Sequence, residues 1–308
     1  MNEPQNNQIA VIGLGAMGGA MAATLHRCGW DVTGFDPSDA ARTAAAETGI
    51  SVTDSLANLA GIPYAVLSLP AASIVEITVP HLLASPGTIA IIDTTTSEPA
   101  TSQRMAELAE AHGAAFIDAP VSGGRDGAAT GKLSAFVGAS DAALTAAEPV
   151  LLALTGGNFS HIGGPGSGNV VKLLNNVLAA ANLASVGEAL AVAKAYGIEP
   201  GTAAASISGA SGGSKVSAAM YPTWILNGSH DSGFSMGLMA RDAALAVAIA
   251  GQVGEKPALL AAVAQQWQDA FAVLGPRADF TEIARTVAPA ITPAGAPSST
   301  PATEGSTP

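Results

Sequence analysis

A lysine and an asparagine, four residues apart, are the side chains of this chain best suited to move a proton. Lys172 and Asn176 lie in Val-Val-Lys-Leu-Leu-Asn-Asn, and this spacing places both on one face of a helix, about one turn apart. A lysine beside apolar surface loses hydration, which makes its proton easier to remove. The pair is therefore a candidate for general acid and base chemistry, although a solvated lysine on an ordinary helix has the same local sequence.

The segment around this pair predicts a loop followed by a long helix. Gly163–Gly168 contains four glycines and a proline, a composition that favours a loop. The helical pattern then runs to about Tyr196 and ends before Gly197. Glu188 lies on the same helix but nearly opposite to Lys172 in helical phase, so we interpret it as structural.

A second glycine motif, near the amino terminus, predicts a dinucleotide site. Gln8–Ile12 is an apolar run typical of a buried parallel strand, and Gly13-Leu14-Gly15-Ala16-Met17-Gly18 follows it before an alanine-rich helix. A second strand, Asp31–Phe35, ends just before Asp36. Strand, G-x-G-x-x-G, helix, strand and acid in this order are typical of the Rossmann fold. We expect the six motif residues and Asp36 to bind the cofactor.

Each conspicuous residue of this motif has a distinct expected role. Gly13 permits the tight turn, Gly15 lets the pyrophosphate approach the backbone, and Gly18 lets helix and strand pack closely. The helix amino terminus then donates N–H groups to the phosphates. Asp36 should accept hydrogen bonds from the adenosine ribose and repel a 2′-phosphate, and no arginine sits beside it in the sequence, so we predict NAD rather than NADP. Asp36 also suits a helix N-cap before Pro37.

Strands and helices alternate through the first half of the chain, which predicts a doubly wound, mostly parallel sheet. The later elements are the apolar run Tyr64–Leu69, the strands Thr88–Ile92, Ala114–Ile117 and Lys132–Val137, and the helices Glu98–His112 and Asp141–Leu154. Residues 177–287 show helices only, many of them apolar on nearly every side: Asn182–Tyr196, Thr202–Ile207, Ala240–Val253 and Pro257–Leu274. Such helices are buried in a bundle or in a subunit interface.

The predicted fold class is therefore an α/β Rossmann domain followed by an all-α domain, joined by a long interdomain helix. We place the NAD-binding domain at residues 1–165, the helix at 166–196, and the all-helical domain at 197–287. The Pro-, Ala-, Ser- and Thr-rich tail, 288–308, should be disordered. The apolar helices also predict a homo-oligomer, a dimer or tetramer.

Composition excludes several classes of protein. The 308 residues carry a net charge of −12, and a nucleic-acid partner would require a basic face. A single cysteine, Cys28, excludes an intrachain disulfide framework, and the five histidines lack metal-ligand spacing, so we predict no metal site. No basic residue precedes the apolar run 9–23, and no uninterrupted apolar stretch approaches about 20 residues. We therefore expect a soluble, cytoplasmic protein without a membrane partner.

A third motif lies between the other two. Asp118-Ala119-Pro120-Val121-Ser122-Gly123-Gly124 predicts a rigid turn leading into glycine-exposed backbone. Its N–H groups and the Ser122 hydroxyl could cradle a carboxylate, but an ordinary Pro/Gly loop has the same composition.

The three motifs, in this order, resemble the β-hydroxyacid dehydrogenases, the family of 3-hydroxyisobutyrate dehydrogenase and tartronate semialdehyde reductase. The resemblance covers roughly residues 8–287. It implies reversible NAD-dependent oxidation of a small β-hydroxy acid to a semialdehyde or keto acid, with Lys172 as the catalytic acid and base and Asn176 orienting the substrate. It further implies a substrate carboxylate held by Ser122, Gly123 and Gly124, and a nicotinamide lined by Leu69, Pro70 and Thr96.

One position departs from the family pattern. The family usually has a Lys-Asp pair near a late helix start, whereas this chain has Arg241-Asp242. Arginine keeps the positive charge but is larger and forked, so Arg241 is a cofactor-binding candidate whose contact could differ, and the substrate could differ with it.

Several other functions remain open on the sequence. One is an NADP-linked semialdehyde or imine reductase of the same fold, although imine reductases usually replace the catalytic lysine; another is a non-catalytic dinucleotide-binding protein. Gly209–Gly213 matches the G-x-S-x-G of hydrolases, but that elbow requires a preceding strand and Thr202–Ile207 predicts a helix. Asp126–Lys132 lacks the first glycine and the final Ser/Thr of a P-loop.

Overall fold

The computed structural model describes residues 7–292, which form two compact units. The first unit contains residues 7–176 and 245–256, and the second contains 177–244 and 257–292. A long helix, α7 (Ser167–Ala195), begins in the first unit and continues into the second.

A nine-stranded sheet forms the centre of the first unit. Its strands are β1 (Gln8–Ile12), β2 (Asp31–Phe35), β3 (Ser51–Thr53), β4 (Tyr64–Leu67), β5 (Ala90–Asp93), β6 (Ala115–Asp118), β7 (Val121–Ser122), β8 (Ser134–Gly138) and β9 (Phe159–Gly163). The spatial order is β3-β2-β1-β4-β5-β6-β8-β7, with β9 also paired to β8. The first six strands are parallel, and β8 joins β6 and β7 in antiparallel pairs.

Alternate residues of the strands face two separate hydrophobic cores, because successive side chains of a strand point to opposite faces of the sheet. Ile9 and Val11 face a core shared with α1 (Ala16–Arg27) and α6 (Asp141–Thr155). Ala10 and Ile12 face another core, shared with α3 (Ala72–Leu82) and α4 (Pro99–Ala111). Helices α2 (Asp39–Ala46) and α5 (Gly124–Thr130) complete this unit.

The order of the strands fixes where a ligand can bind. The chain passes from β1 to β2 and β3 on one side and then crosses to β4 on the other side of β1. In sheets of this kind ligands occupy the crevice at the carboxyl ends of the strands, at the point where the strand order reverses. The segments that follow β1, β2, β4, β5 and β6 therefore build the candidate site.

The regular elements of the second unit are all helices among the described residues, apart from one isolated bridge between Ser235 and Asp279. Beyond α7 it contains α8 (Pro200–Ser208), α9 (Met236–Gln252, which continues into the first unit), α10 (Ala258–Leu274) and α11 (Ile283–Val287), with a π-helix at Val216–Ile225. Its core buries Trp267 and Tyr221 completely, and each donates a hydrogen bond to a carbonyl of α7, at Ala180 and Leu183. The predicted fold class is confirmed.

The structure corrects several local predictions. The glycine-rich entrance to α7 is less irregular than we predict, since Gly163 ends β9. The predicted rigid turn of the third motif contains the short strand β7 and the start of α5. Pro200–Ser208 is a helix, as expected, so the G-x-S-x-G of Gly209–Gly213 lacks the strand that a nucleophile elbow requires.

The predicted disordered tail begins later than the composition indicates. Ala288 and Ile291 are buried, so the described start of this tail, residues 288–292, is a packed part of the second unit. The rest of the predicted tail, 293–308, lies outside the described residues.

One described helix, α7, is long and apolar enough to cross a membrane by length and composition alone. The sequence pattern did not indicate this, because polar residues interrupt the apolar run. Of its most apolar window, 44% is buried within the protein, and both Lys172 and Asn176 lie on it. The core helix of a globular protein can have the same length and composition.

Candidate active site

The glycine motif after β1 has the geometry that dinucleotide binding requires. Gly13 has a φ of 90°, and a Cβ there would lie 2.2 Å from the Ser68 carbonyl oxygen. A Cβ at Gly18 would lie 1.8 Å from the Gly13 carbonyl oxygen, so α1 packs directly on the turn. At Gly15, by contrast, a Cβ would meet nothing within 4 Å. The first and third glycines are needed for packing, and the second faces open space, as expected of a glycine that a pyrophosphate would approach.

Asp36, at the end of β2, is fixed by two backbone amides. Its Oδ2 accepts the Leu14 N–H at 2.8 Å and its Oδ1 accepts the Ser38 N–H at 2.8 Å. These bonds hold the carboxylate beside the glycine turn, where a ribose would lie. Ser38, rather than Asp36, is the N-cap of α2 and accepts the Ala41 N–H. The alternative interpretation of Asp36 as a helix cap is therefore wrong.

Arg42 also lies beside Asp36, which the sequence did not indicate. One guanidinium nitrogen, Nη1, donates to the Asp36 carbonyl oxygen at 2.5 Å, and the other, Nη2, contacts the exposed carboxylate of Asp39. Arg42 is six residues after Asp36, and α2 folds it back toward the end of β2. A cation is thus present next to the predicted ribose position.

The segments after β4 and β5 are joined by a hydrogen bond. The Leu69 N–H donates to Oγ1 of Thr95 at 3.1 Å. Leu69 and Thr96 are half-buried, and Pro70 is exposed. The structure therefore brings the three predicted nicotinamide-lining residues to adjacent strand ends.

The predicted carboxylate-binding residues follow β6. Ser122 is half-buried and pairs with Ser134 in the antiparallel ladder between β7 and β8. Gly123 and Gly124 are exposed and have φ angles of 124° and 61°, values that other residues rarely adopt. Because α5 begins at Gly124, the exposed backbone is the join between a short strand and a short helix.

Lys172 and Asn176 are both buried, with 7% and 5% of their surface exposed. Both belong to the first unit, on the part of α7 that follows β9. The amide of Asn175 donates to Oδ1 of Asn176 at 3.2 Å. A solvated lysine on an ordinary helix is therefore the wrong interpretation of Lys172.

Two buried aspartates lie at the carboxyl ends of the adjacent strands β5 and β6. Asp93 ends β5 and Asp118 ends β6, and neither is exposed to solvent. Burial raises the pKa of each carboxyl to about 7, because the charged form loses its hydration. Hydrogen bonds from backbone N–H groups oppose this rise in both pKa values.

Arg241 belongs to the second unit, whereas the other predicted site residues belong to the first. Its Nε and Nη2 donate to Oδ1 of the fully buried Asp242, at 3.0 and 2.8 Å. The guanidinium thus supplies hydrogen bonds that a buried carboxylate requires. Its role in cofactor binding stays a prediction.

Sequence reasoning missed the residues that support the site. Asp118 and Asn169 lie in two of the sequence motifs, but the motifs predict no role for them, and no motif contains Arg42. Their partners are 6 to 72 residues away, so no local spacing reveals them. Among the described residues there is no group of three or more His, Cys, Asp or Glu side chains that could hold a metal ion.

Comparison with known proteins agrees with this geometry. Residues 8–163 match the model of the NAD-binding domain of 6-phosphogluconate dehydrogenase, and residues 166–287 match that of the NAD-binding region of NADP-dependent 3-hydroxyisobutyrate dehydrogenase. The 2-(hydroxymethyl)glutarate dehydrogenase of Eubacterium barkeri is 36% identical over 268 residues, which are 84% of this chain and 87% of that protein. The chain belongs to the β-hydroxyacid dehydrogenase family.

Other members of the β-hydroxyacid dehydrogenase family are similarly related. The NAD-dependent L-serine dehydrogenase of Pseudomonas aeruginosa is 34% identical over 252 residues, covering 78% of this chain and 84% of that protein. The structure of Mycobacterium tuberculosis 3-hydroxyisobutyrate dehydrogenase with L-serine has a TM-score of 0.83 and 32% identity, and the match covers 91% of this chain and 99% of that one. The chain is accordingly an NAD(P)-dependent oxidoreductase of hydroxy acids, which confirms the predicted class of enzyme.

Proposed function

We propose that this β-hydroxyacid dehydrogenase interconverts a small 3-hydroxy acid and its semialdehyde or keto acid, with NAD as the cofactor. The observation that carries the proposal is the burial of Lys172 and Asn176 together in the unit that contains the dinucleotide fold. A buried lysine beside a buried amide can exchange a proton with a substrate oxygen, whereas a solvated lysine would exchange protons with water.

Lys172 is the proposed acid and base. In oxidation the proton of the substrate hydroxyl passes to Nζ of Lys172, and in reduction Lys172 returns it to the carbonyl oxygen. Lys172 is thus neutral before oxidation and protonated before reduction, and in the protonated form its charge stabilises the negative charge that develops on that oxygen. When bound, the nicotinamide supplies the hydride acceptor for oxidation and the hydride donor for reduction. Asn176, one turn further along α7, orients the substrate by hydrogen bonding.

The substrate carboxylate is assigned to the segment after β6. Ser122 can donate its hydroxyl hydrogen, and the exposed backbone of Gly123 and Gly124 can offer N–H groups. A carboxylate held there and a hydroxyl at Lys172 are the two functional groups of a hydroxy acid, and the family resemblance implies that the hydroxyl is on C3. Candidate substrates are 3-hydroxyisobutyrate, glycerate, serine and sugar acids such as threonate, and relatives named for hydroxymethylglutarate and serine support this class.

The preference for NAD is assigned to Asp36. Its carboxylate, held by the amides of Leu14 and Ser38, would accept hydrogen bonds from ribose hydroxyls and repel a 2′-phosphate. Leu69, Pro70 and Thr96 would line the nicotinamide, and Arg241 is proposed to add a cofactor contact. The positive charge of Arg42 would attract the 2′-phosphate that Asp36 repels. The preference for NAD therefore depends on the opposing charges of these two side chains.

The exposed surface of the second unit supports a proposal about the oligomeric state. Large apolar side chains are exposed on the second unit, among them Val192, Tyr196, Leu259 and Val273. Exposed apolar surface of this kind is typical of a subunit interface, and we propose a homodimer or homotetramer in the cytoplasm.

A spectrophotometric screen tests the proposed reaction. The purified chain is assayed at 340 nm with NAD and NADP against 3-hydroxy acids, and with NADH and NADPH against semialdehydes and cyclic imines. We expect turnover of a 3-hydroxy acid with NAD. Turnover of imines alone, or tight NADH binding without turnover of any compound, would contradict the proposal.

A further inference from the structure

The helix that carries Lys172 is capped by a residue from a different part of the chain. The first turn of α7 follows Gly166, whose carbonyl accepts the Val170 N–H at 3.1 Å and which has no side chain to cap the turn. Asp118, at the end of β6, accepts the Gly166 N–H at 2.7 Å through Oδ1 and the Asn169 N–H at 2.8 Å through Oδ2. One carboxylate thus satisfies two of the amides that the start of a helix leaves without partners.

Two glycines next to this carboxylate, Gly138 and Gly168, leave no room for a side chain. A Cβ at Gly138 would lie 2.4 Å from Oδ1 of Asp118, and a Cβ at Gly168 would lie 2.8 Å from the Asp118 carbonyl oxygen and 2.3 Å from that of Phe136. Asp118 itself is completely buried. Since two glycines make room for one carboxylate, the position of α7 relative to β6 and β8 is fixed by close packing as well as by hydrogen bonds.

Asn169 attaches the same turn to the segment after β5. Its Oδ1 accepts the Ser97 N–H at 2.9 Å, and its Nδ2 donates to Oγ of Ser102 at 3.1 Å. Asn169 is fully buried, as is Ser97, which directly follows Thr96. The capped turn is therefore tied to two strand ends, one leading to Thr96 and the other to Ser122.

We propose that Asp118 is a positioning residue for the reaction. Its carboxylate fixes the first turn of α7 and thereby places Lys172 relative to the Ser122–Gly124 segment, which starts from the same strand end. Lys172 is three residues after Asn169, within one turn of the capped amides. The inference rests on the proposed function, in which Lys172 transfers the proton. Asp118 acts through the helix, because its own carboxylate is occupied by backbone amides.

Asp118→Asn is the first test, because it keeps the shape of the side chain but replaces one acceptor oxygen by an NH2 that faces an N–H donor. Misplacement of a reacting group by about 1 Å can cost about 100-fold in rate. We expect kcat to fall about 10- to 100-fold, while the Kd of NADH changes less than about threefold, because the proposed pyrophosphate and ribose contacts lie after β1 and β2 and not on α7. Active sites are counted by NADH titration, so a partly unfolded sample does not affect kcat.

Ser140→Ala is the matched control. Ser140 caps α6 by accepting the Ala143 N–H at 3.3 Å, and it lies outside the proposed site. Its loss should lower the thermal midpoint and leave kcat unchanged, which separates loss of a cap from misplacement of Lys172. If Asp118→Asn likewise lowers only the thermal midpoint, with kcat within about twofold of wild type, the positioning role is overturned.

A double-mutant cycle with Lys172→Ala distinguishes this inference from the proposed function. If Asp118 acts through Lys172, adding Asp118→Asn to Lys172→Ala should not lower the residual rate further. Additive losses would overturn the positioning role. A near-normal rate for Lys172→Ala alone would instead contradict the proposed function.

Hydrogen exchange provides a readout that is independent of activity. In Asp118→Asn the amides of residues 169–173 should exchange faster than in wild type, while those of α6 should not change. If Asp118→Asn yields too little folded protein, Asp118→Ser, which retains one acceptor oxygen, takes its place in all three measurements. Unchanged exchange at the start of α7 would overturn the proposal.

Discussion

Asp93 and Asp118 are directly paired residues of adjacent parallel strands, and both are completely buried. Each receives a backbone amide, at Oδ1 of Asp93 from Thr95 and at both oxygens of Asp118 from the start of α7. Oδ2 of Asp93, however, is buried without a hydrogen-bond partner among the described residues. Of the two carboxyls, Asp93 is therefore the less well compensated for the loss of water.

Stability should depend on pH through Asp93. Burial, the main cause, and the nearby charge of Asp118 raise the pKa of Asp93 to about 7, from about 3.9 in an unfolded chain. The folded state therefore binds the proton more tightly, and the resulting stabilisation is full below the unfolded pKa and is lost as pH rises through about 7.

Asp93→Asn, which carries no charge, tests this dependence. Between about pH 5 and pH 8 the stability of this variant should increase relative to wild type, because only the wild type loses proton-linked stabilisation. Urea denaturation at several pH values measures the difference in the free energy of unfolding. A difference that does not change with pH would show that Asp93 does not titrate in this range.

Cofactor preference should respond to Asp36 and Arg42 together. Asp36→Ala removes the charge that repels a 2′-phosphate but leaves Arg42, which is bound to the Asp36 main chain rather than to its side chain. We expect the ratio of kcat/KM for NAD to that for NADP to fall by about tenfold or more, about 1.4 kcal/mol.

Adding Arg42→Ala to Asp36→Ala is the control for this prediction. The second substitution should remove most of the gain with NADP, because it removes the cation that would face the 2′-phosphate. An unchanged cofactor ratio in Asp36→Ala would contradict the assigned role of Asp36.

Alanine substitutions at two glycines of the Gly13–Gly18 motif should have different effects on stability and on NADH binding. Gly18→Ala places a methyl group 1.8 Å from a backbone oxygen, and it should destabilise the protein by about 3 kcal/mol, the upper part of the range for overpacking. Gly15→Ala meets nothing within 4 Å, so it should keep near-normal stability and weaken NADH binding. Urea denaturation measures the stability of both variants, and NADH titration measures their affinity for the cofactor. If Gly18→Ala kept normal stability and weakened NADH binding as much as Gly15→Ala does, the prediction would be contradicted.

The sequence predicts the parts of this protein in which one local pattern determines the structure. The residues from Gln8 to Asp36 combine an apolar strand, glycines with different steric roles and an aspartate after the second strand. The structure has all three features. The long helix after Gly166 was predictable because an unbroken helical pattern precedes Gly197. The buried state of Lys172 was not predictable, because its local sequence also fits an exposed helix.

The rest depends on contacts between distant residues or on weak local patterns. The cap that Asp118 provides spans 48 and 51 residues. Arg42 reaches Asp36 only because α2 turns back toward β2. The strand β7 is two residues long, too short for any alternation of side chains to be visible.

The sequence does not predict the π-helix Val216–Ile225, because Pro222 lies inside it and proline disfavours the interior of a helix. The sequence does predict α9 and α10 in the same unit, where no proline interrupts the apolar helical pattern.

The central claim is that Lys172 transfers the proton, and the kcat of Lys172→Ala tests it most directly. With the best 3-hydroxy acid from the substrate screen, we predict that kcat falls by about 10²–10⁴-fold. The Kd of NADH, measured by fluorescence titration, should stay close to that of wild type. A variant that binds NADH normally and retains near-normal kcat would contradict the account.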